Sequence, residues 1–229
     1  MSIVKALVFD LDDTLYDEKQ FVLGGFKAVA AYLEDRYGAD RQAAYERMRQ
    51  LLREKGRGKI FDELLAENGL DCSLVSDLVE IYRSHEPSLQ LYPDAVSLLR
   101  SLQGKVKTGL ITDGAAKVQW NKIRALGLDK IVDTIVVTDD HGVDCWKPSP
   151  FPYLLVTERL GVRPEDCLYV GDNPEKDFVT AKQLGWHTAR VLRPGGMCWE
   201  RKKEAEYEAE FSITALDELP SLLEKLGLL

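Results

Sequence analysis

The chain has 229 residues, 45% of them hydrophobic, which excludes a disordered polypeptide and allows one α/β domain or a domain carrying a smaller insert. Its 38 Asp and Glu against 30 Lys and Arg leave a formal charge of -8, which argues against nucleic acid as a partner but not against small anions in a locally positive pocket. The apolar part of MSIVKALVFDLDD is short for a signal peptide, and no run approaches the ~18 apolar residues of a membrane span, so a cytoplasmic protein is expected.

In chain order, residues 3 to 9 (IVKALVF) predict a buried parallel strand that stops at a cluster of acids. From about residue 17 to 90 the patterns are helical throughout, in FVLGGFKAVAAYLEDRYG, RQAAYERMRQLLREK, KIFDELLAENG and SLVSDLVEIYRSH. Pro87 and Pro93 punctuate the exit from this stretch. Strands and helices then alternate: strands at 106–112, 133–139, 167–172 and 187–192, and helices at 94–103, 115–127, 150–161 and 174–185. A charge-dense tail, RKKEAEYEAE, reads as a solvated face, followed by a short strand near Phe211 to Ile213 and a closing helix. The alternation predicts an α/β fold, a doubly wound parallel sheet with a Rossmann-like core over residues 1–16 and 91–229. Residues 17–90 form an inserted all-helical domain, and the two crossings between them a hinge.

Ligands of such a sheet belong at the carboxyl ends of its strands. There the sequence places VFDLDDTL, with Asp10, Asp12 and Asp13 crowded behind the first strand. Repulsion makes that crowding unfavourable unless a cation, a shared proton or a charged ligand resolves it. In extended backbone Asp10 and Asp12 would project to one side and Asp13 to the other. GDNPEKD after the fourth strand brings Asp172 and Asp177 to the same rim, and four carboxylates there imply a divalent cation, Mg²⁺ by default. ITDG supplies the Thr112 hydroxyl and the backbone N–H groups around Asp113 and Gly114 at a helix start. WKPSP adds Lys147. Carboxylates, a cation, a hydroxyl and a lysine together suit phosphoryl transfer.

DLDDT, the Thr of ITDG, the Lys of WKPSP and GDNPEKD, in that order, resemble the four motifs of the haloacid dehalogenase superfamily. The insert after the first motif resembles its C1-type helical cap. The resemblance implies that Asp10 is a nucleophile that becomes an aspartyl phosphate, with Asp12 first the general acid and then the base. It implies that Thr112 and Lys147 hold the phosphoryl oxygens. Mg²⁺ would be held by Asp10, the Asp12 carbonyl oxygen and Asp172, with Asp177 in support. Asp12 favours a phosphatase over a dehalogenase, whose chemistry needs no acid there. The expected substrate is a small phosphorylated metabolite, a nucleoside monophosphate or a sugar phosphate, and the expected assembly a monomer or homodimer. Alternatives are a phosphomutase of the same superfamily and a phosphoacceptor signalling module that does not turn over.

Other residues carry plainer readings. Asp13 suits a loop hydrogen-bonding role. Asp113 stands where relatives commonly have asparagine, which leaves the direction of its side chain open. Arg57 and Lys59, between glycines in EKGRGKIF, suit a solvated connector, with contact to a leaving group as the sharper alternative. Cys72, Cys145, Cys167 and Cys198 are far apart and read as reduced, mostly core thiols. His141 with Cys145 is too small a set for a closed zinc site. Trp120, Trp146, Trp186 and Trp199 read as core or interface residues.

Overall fold

The computed structural model describes residues 4–225; Ile3 of the first predicted strand lies outside them. The chain divides into two compact units, one ending at Glu18 and resuming at Gln90, the other spanning Lys19–Leu89. Strand β1 (Ala6–Phe9) opens the first.

The second unit is all helical: α1 (Lys19–Tyr37), α2 (Arg41–Lys55), α3 (Ile60–Glu67) and α4 (Val75–Ser84). Its core forms where Phe26, Val29, Leu33, Met48, Leu64 and Leu78 meet. Each comes from the apolar stripe of an amphipathic helix. Asp40 caps α2 by accepting from Ala43 N at 2.9 Å, and Gly56 ends it with φ 73°. Gly25 lets α4 approach α1, because a Cβ there would collide with the Tyr82 ring. Arg57 and Lys59 are exposed beyond Gly56 and, with Arg83, edge a cavity of about 280 Å³ floored by Val22, Phe61 and Val79.

The first unit continues with α5 (Pro93–Leu102), β2 (Lys107–Thr112), α6 (Ala116–Ala125), β3 (Thr134–Val137) and α7 (Phe151–Leu160). Then come β4 (Cys167–Gly171), α8 (Val179–Gln183), β5 (His187–Val191), β6 (Phe211–Ile213) and α9 (Leu219–Lys225). All strand pairs are parallel, in the order β3-β2-β1-β4-β5-β6. This is a doubly wound, Rossmann-like sheet. β1 and β4 are buried along their whole length, which explains their unbroken apolar runs. Tyr153, Val156, Tyr169, Phe178 and Trp186 pack with Val8 against one face.

Several predicted elements are shorter in the structure, β1 beginning only at Ala6, and for two of them a local cause is visible. β3 stops at Val137 because residues Thr138–His141 turn into a 3₁₀ segment, from which Asp139 accepts from Ala116 N at 2.8 Å and so caps α6. The helix expected from 174 begins only at Val179, since residues 173–177 coil back so that the Asp177 carboxylate accepts from Asn173 N at 3.0 Å. The charged tail is exposed from Arg201 to Glu206 but not inert beyond it. Glu208 pairs with Arg190 at 3.0 Å, and Glu210 accepts from Thr188 N at 3.0 Å. Cys167 and Cys198 are buried, whereas Cys72 and Trp199 are exposed.

Candidate active site

Because order reverses around β1, the crevice of this sheet opens between the carboxyl ends of β1 and β4. Asp10 follows β1 directly, and its N–H donates to Val170 O at 2.8 Å, which fixes it beside the end of β4. Its carboxylate is 6% exposed and accepts from Lys147 Nζ at 2.5 Å. Lys147 Nζ also donates to Asp177 Oδ1 at 2.8 Å and to the Tyr169 hydroxyl at 2.8 Å, and it is wholly enclosed. Burial pushes the Asp10 carboxyl up to about 7; Lys147 opposes the shift and Asp177 adds to it. The ammonium of Lys147 is held well above its ordinary value, because the Asp10 and Asp177 charges outweigh its burial.

Asp172 ends the run that β4 begins. Burial, then the charges of Asp10 and Asp177, raise its carboxyl well above the usual range. Gly171 before it admits Asp177, whose carboxylate a Cβ at that position would strike. Among the described residues no three of His, Cys, Asp and Glu are arranged to hold a metal together, so the four rim carboxylates do not form one cage. What the donor set offers is a pair, Asp10 and Asp172, both disfavoured as anions by burial and by the charge of Asp177, and Asp172 also by that of Asp10. A divalent cation between them would relieve both. Mg²⁺ fits that arrangement, since it keeps several waters and takes few carboxylates.

Asp12 points elsewhere. β1 has ended before it, so strand alternation no longer applies, and its backbone instead bridges to Tyr16. Its carboxylate accepts from the Tyr16 hydroxyl at 2.5 Å, Gln119 Nε2 at 3.0 Å and Lys122 Nζ at 2.8 Å. Burial alone would raise its pKa, but Lys122 and these bonds hold it below the usual range. Gln119 also donates to the Thr112 hydroxyl, linking the first two motifs. Gly114, at φ 127°, passes close to the Gln119 side chain.

The direction of Asp113 is now defined: Oδ1 accepts from the Thr138 hydroxyl at 2.9 Å and from Lys147 N at 3.1 Å, while Oδ2 pairs with Lys176 at 2.8 Å. Asp13 accepts from Glu18 N at 3.0 Å and Met197 N at 2.7 Å, holding two loops. His141 packs against Phe151, at 4.9 Å between ring centroids with the planes tilted by 54°. Gln119, Lys122, Tyr16, Tyr169 and Lys176 were not singled out from sequence. For two of them a signal existed, because Gln119 and Lys122 fall on the buried face of α6 beside Val118 and Ile123, where apolar residues belong.

Fold and rim together define a doubly wound α/β protein with a helical insert and a carboxylate-lined rim at the strand ends. Residues 4–185 match the haloacid dehalogenase-like hydrolases, and the chain belongs to that family. It is 30% identical to the glyceraldehyde 3-phosphate phosphatase of Methanocaldococcus jannaschii over 97% of this chain and 98% of that protein. It is 25% identical to the pyrophosphatase PpaX of Bacillus pumilus, over 97% of each. A haloacid dehalogenase-superfamily phosphatase from Thermococcus onnurineus superposes with TM-score 0.62 at 28% identity, covering 96% of this chain and 97% of that one. The L-2-haloacid dehalogenase of Xanthobacter autotrophicus gives 0.60 at 26%, covering 97% and 99%. The chain is an enzyme, a hydrolase of the phosphatase kind.

Proposed function

We propose that the protein hydrolyses a small phosphomonoester, of the sugar-phosphate class, through an aspartyl phosphate on Asp10 with the help of Mg²⁺. The observation that carries this is the Asp10 carboxylate at the end of the central strand, buried, aligned by Lys147 and backed by Asp172. The 30% identical archaeal phosphatase supports the substrate class.

In this reading an Asp10 oxygen attacks phosphorus and the ester P–O bond breaks. Asp12, ionised in the empty site, takes up a proton as the anionic substrate enters beside it, gives that proton to the leaving oxygen, and then accepts one from the water that attacks the aspartyl phosphate. Inorganic phosphate leaves and Asp10 is restored. Lys147 holds Asp10 in place and favours its charged form, while Tyr16, Gln119 and Lys122 orient Asp12. Thr112 and the backbone at Asp113 and Gly114 line the place of the phosphoryl oxygens. Asp10, Asp172 and the Asp12 carbonyl would hold Mg²⁺, with Asp177 behind them; bound there, it supplies positive charge that offsets repulsion between carboxylate and phosphoryl group.

The test is phosphate release from a panel of phosphorylated metabolites by wild type and Asp10→Asn. Wild type should turn over, and the variant should release no phosphate and accumulate no aspartyl phosphate, because an amide is a poor nucleophile. Asp12→Asn should slow turnover roughly 10²- to 10⁴-fold. Wild-type turnover by Asp10→Asn would overturn the reading. With a hexose 1-phosphate, release of free phosphate instead of an isomeric sugar phosphate separates hydrolysis from phosphomutase chemistry.

A further inference from the structure

Lys147 is the lysine that sequence resemblance assigns to the phosphoryl oxygens, yet an ammonium has three N–H bonds and this one has engaged them all. They are shared among Asp10, Asp177, the Tyr169 hydroxyl and, at 3.4 Å, Ile111 O, and the side chain has no exposed surface. A second ammonium stands at the same rim. Lys176, in the loop between Asp172 and Asp177, is 30% exposed at its side chain, and among the described residues its ammonium has one hydrogen-bond partner, Asp113 at 2.8 Å. Its charge lies close enough to Asp10 and Asp172 to favour the ionised form of both. Two N–H groups are therefore left to meet an incoming anion.

Building on the phosphatase reading, we infer that Lys176 is a catalytic residue whose ammonium binds the transferred phosphoryl group, and that Asp113 is its positioning residue. The aspartate that replaces the usual asparagine then has a reason. Its Oδ1 is anchored by Thr138 and the Lys147 backbone, so Oδ2 is presented rigidly, and a full negative charge there holds a flexible lysine over the rim. An asparagine amide would offer one neutral acceptor oxygen and no ion pair. Lys147 and Lys176 thus divide the work: one serves the nucleophile, the other the electrophile.

The experiment measures inorganic phosphate binding by calorimetry, together with kcat and KM on an aryl phosphate, for wild type, Lys176→Met, Lys176→Arg, Asp113→Asn and Lys176→Met with Asp113→Asn. Lys176→Met should weaken phosphate binding and raise KM by about 10- to 100-fold, the range for a lost charge-assisted hydrogen bond, and Lys176→Arg should recover most of it. Asp113→Asn should show a smaller loss that disappears in the Lys176→Met background, because Asp113 acts through Lys176. Wild-type phosphate affinity and KM in Lys176→Met would overturn the assignment. So would a full additive loss from Asp113→Asn in that background. If Lys176→Met fails to fold, Lys176→Gln makes the same comparison. A wild type that binds phosphate but releases none from phosphomonoesters would overturn the hydrolase reading instead, and the calorimetric arm would still decide the role of Lys176.

Discussion

Lys147 shows how much a single side chain can organise. Its N–H bonds join the end of β1, the middle of β4 and the loop after it, and its side chain is wholly enclosed. Removing one member of a buried ion pair leaves the other charge uncompensated, which costs on the order of 3–5 kcal/mol. Lys147→Ala should fall toward the lower end of that range in urea unfolding, because Asp10 already takes up a proton near pH 7 and can neutralise itself. Unchanged stability would mean that Asp10 and Asp177 do not depend on Lys147. At this scale the sequence was most informative where an acid or hydroxyl ends an apolar run, as at Asp10, Thr112 and Asp172. It was least informative for Gln119 and Lys122, whose partner Asp12 is 107 and 110 positions away. Nothing local in α6 names that partner.

Among the elements, the parallel strands were legible because burial on both faces demands continuous apolar runs, and helix α8 was overestimated because backbone propensity says nothing of the fold-back at Asp177. A second junction, between α5 and the loops behind it, rests on charge. Asp94 in the first turn of α5 pairs with Arg193 at 2.7 Å and accepts from Leu216 N at 2.7 Å, while Arg193 also donates to Thr14 O and lies 4.0 Å from the Tyr92 ring centre. Burial would raise the Asp94 carboxyl, but the Arg193 bonds and backbone donors hold it below its ordinary 3.8. A folded-state pKa below the unfolded one gives stability that is complete above pH 3.8 and is lost as pH falls through the lower folded value. In urea unfolding, the stability difference between wild type and Asp94→Asn should hold steady from pH 7 to pH 5 and shrink below pH 3.8. A difference that stays constant to pH 2 would show that Asp94 titrates alike in both states.

For the whole molecule, the α/β class and the helical insert could be read from period alone, 2 or 3.6, but the order β3-β2-β1-β4-β5-β6 could not, since any order of strands satisfies the same pattern. No helix among the described residues is long and apolar enough to cross a membrane. In the proposed reading the rim carboxylates make phosphate release depend on a cation. Treatment with EDTA should abolish phosphate release from an aryl phosphate, Mg²⁺ should restore it, and Ca²⁺ should do so poorly, because its larger and looser shell misplaces the nucleophile. Full activity after rigorous chelation would remove the metal from the mechanism.

The position of β1 also bears on how the chain is made. Among the described strands the earliest made lies in the middle of the sheet, and its neighbours pair Ala6 with Lys107 on one side and with Cys167 on the other. At ~5–20 residues per second, Cys167 leaves the ribosome roughly 8–30 s after Ala6. Until β2 is made this strand has two open edges, and until β4 is made it has one, whereas Lys19–Leu89, made in between, closes its helices through contacts near in sequence. During synthesis the exposed strand is the one that must be shielded, and the helical unit is the first part able to become native.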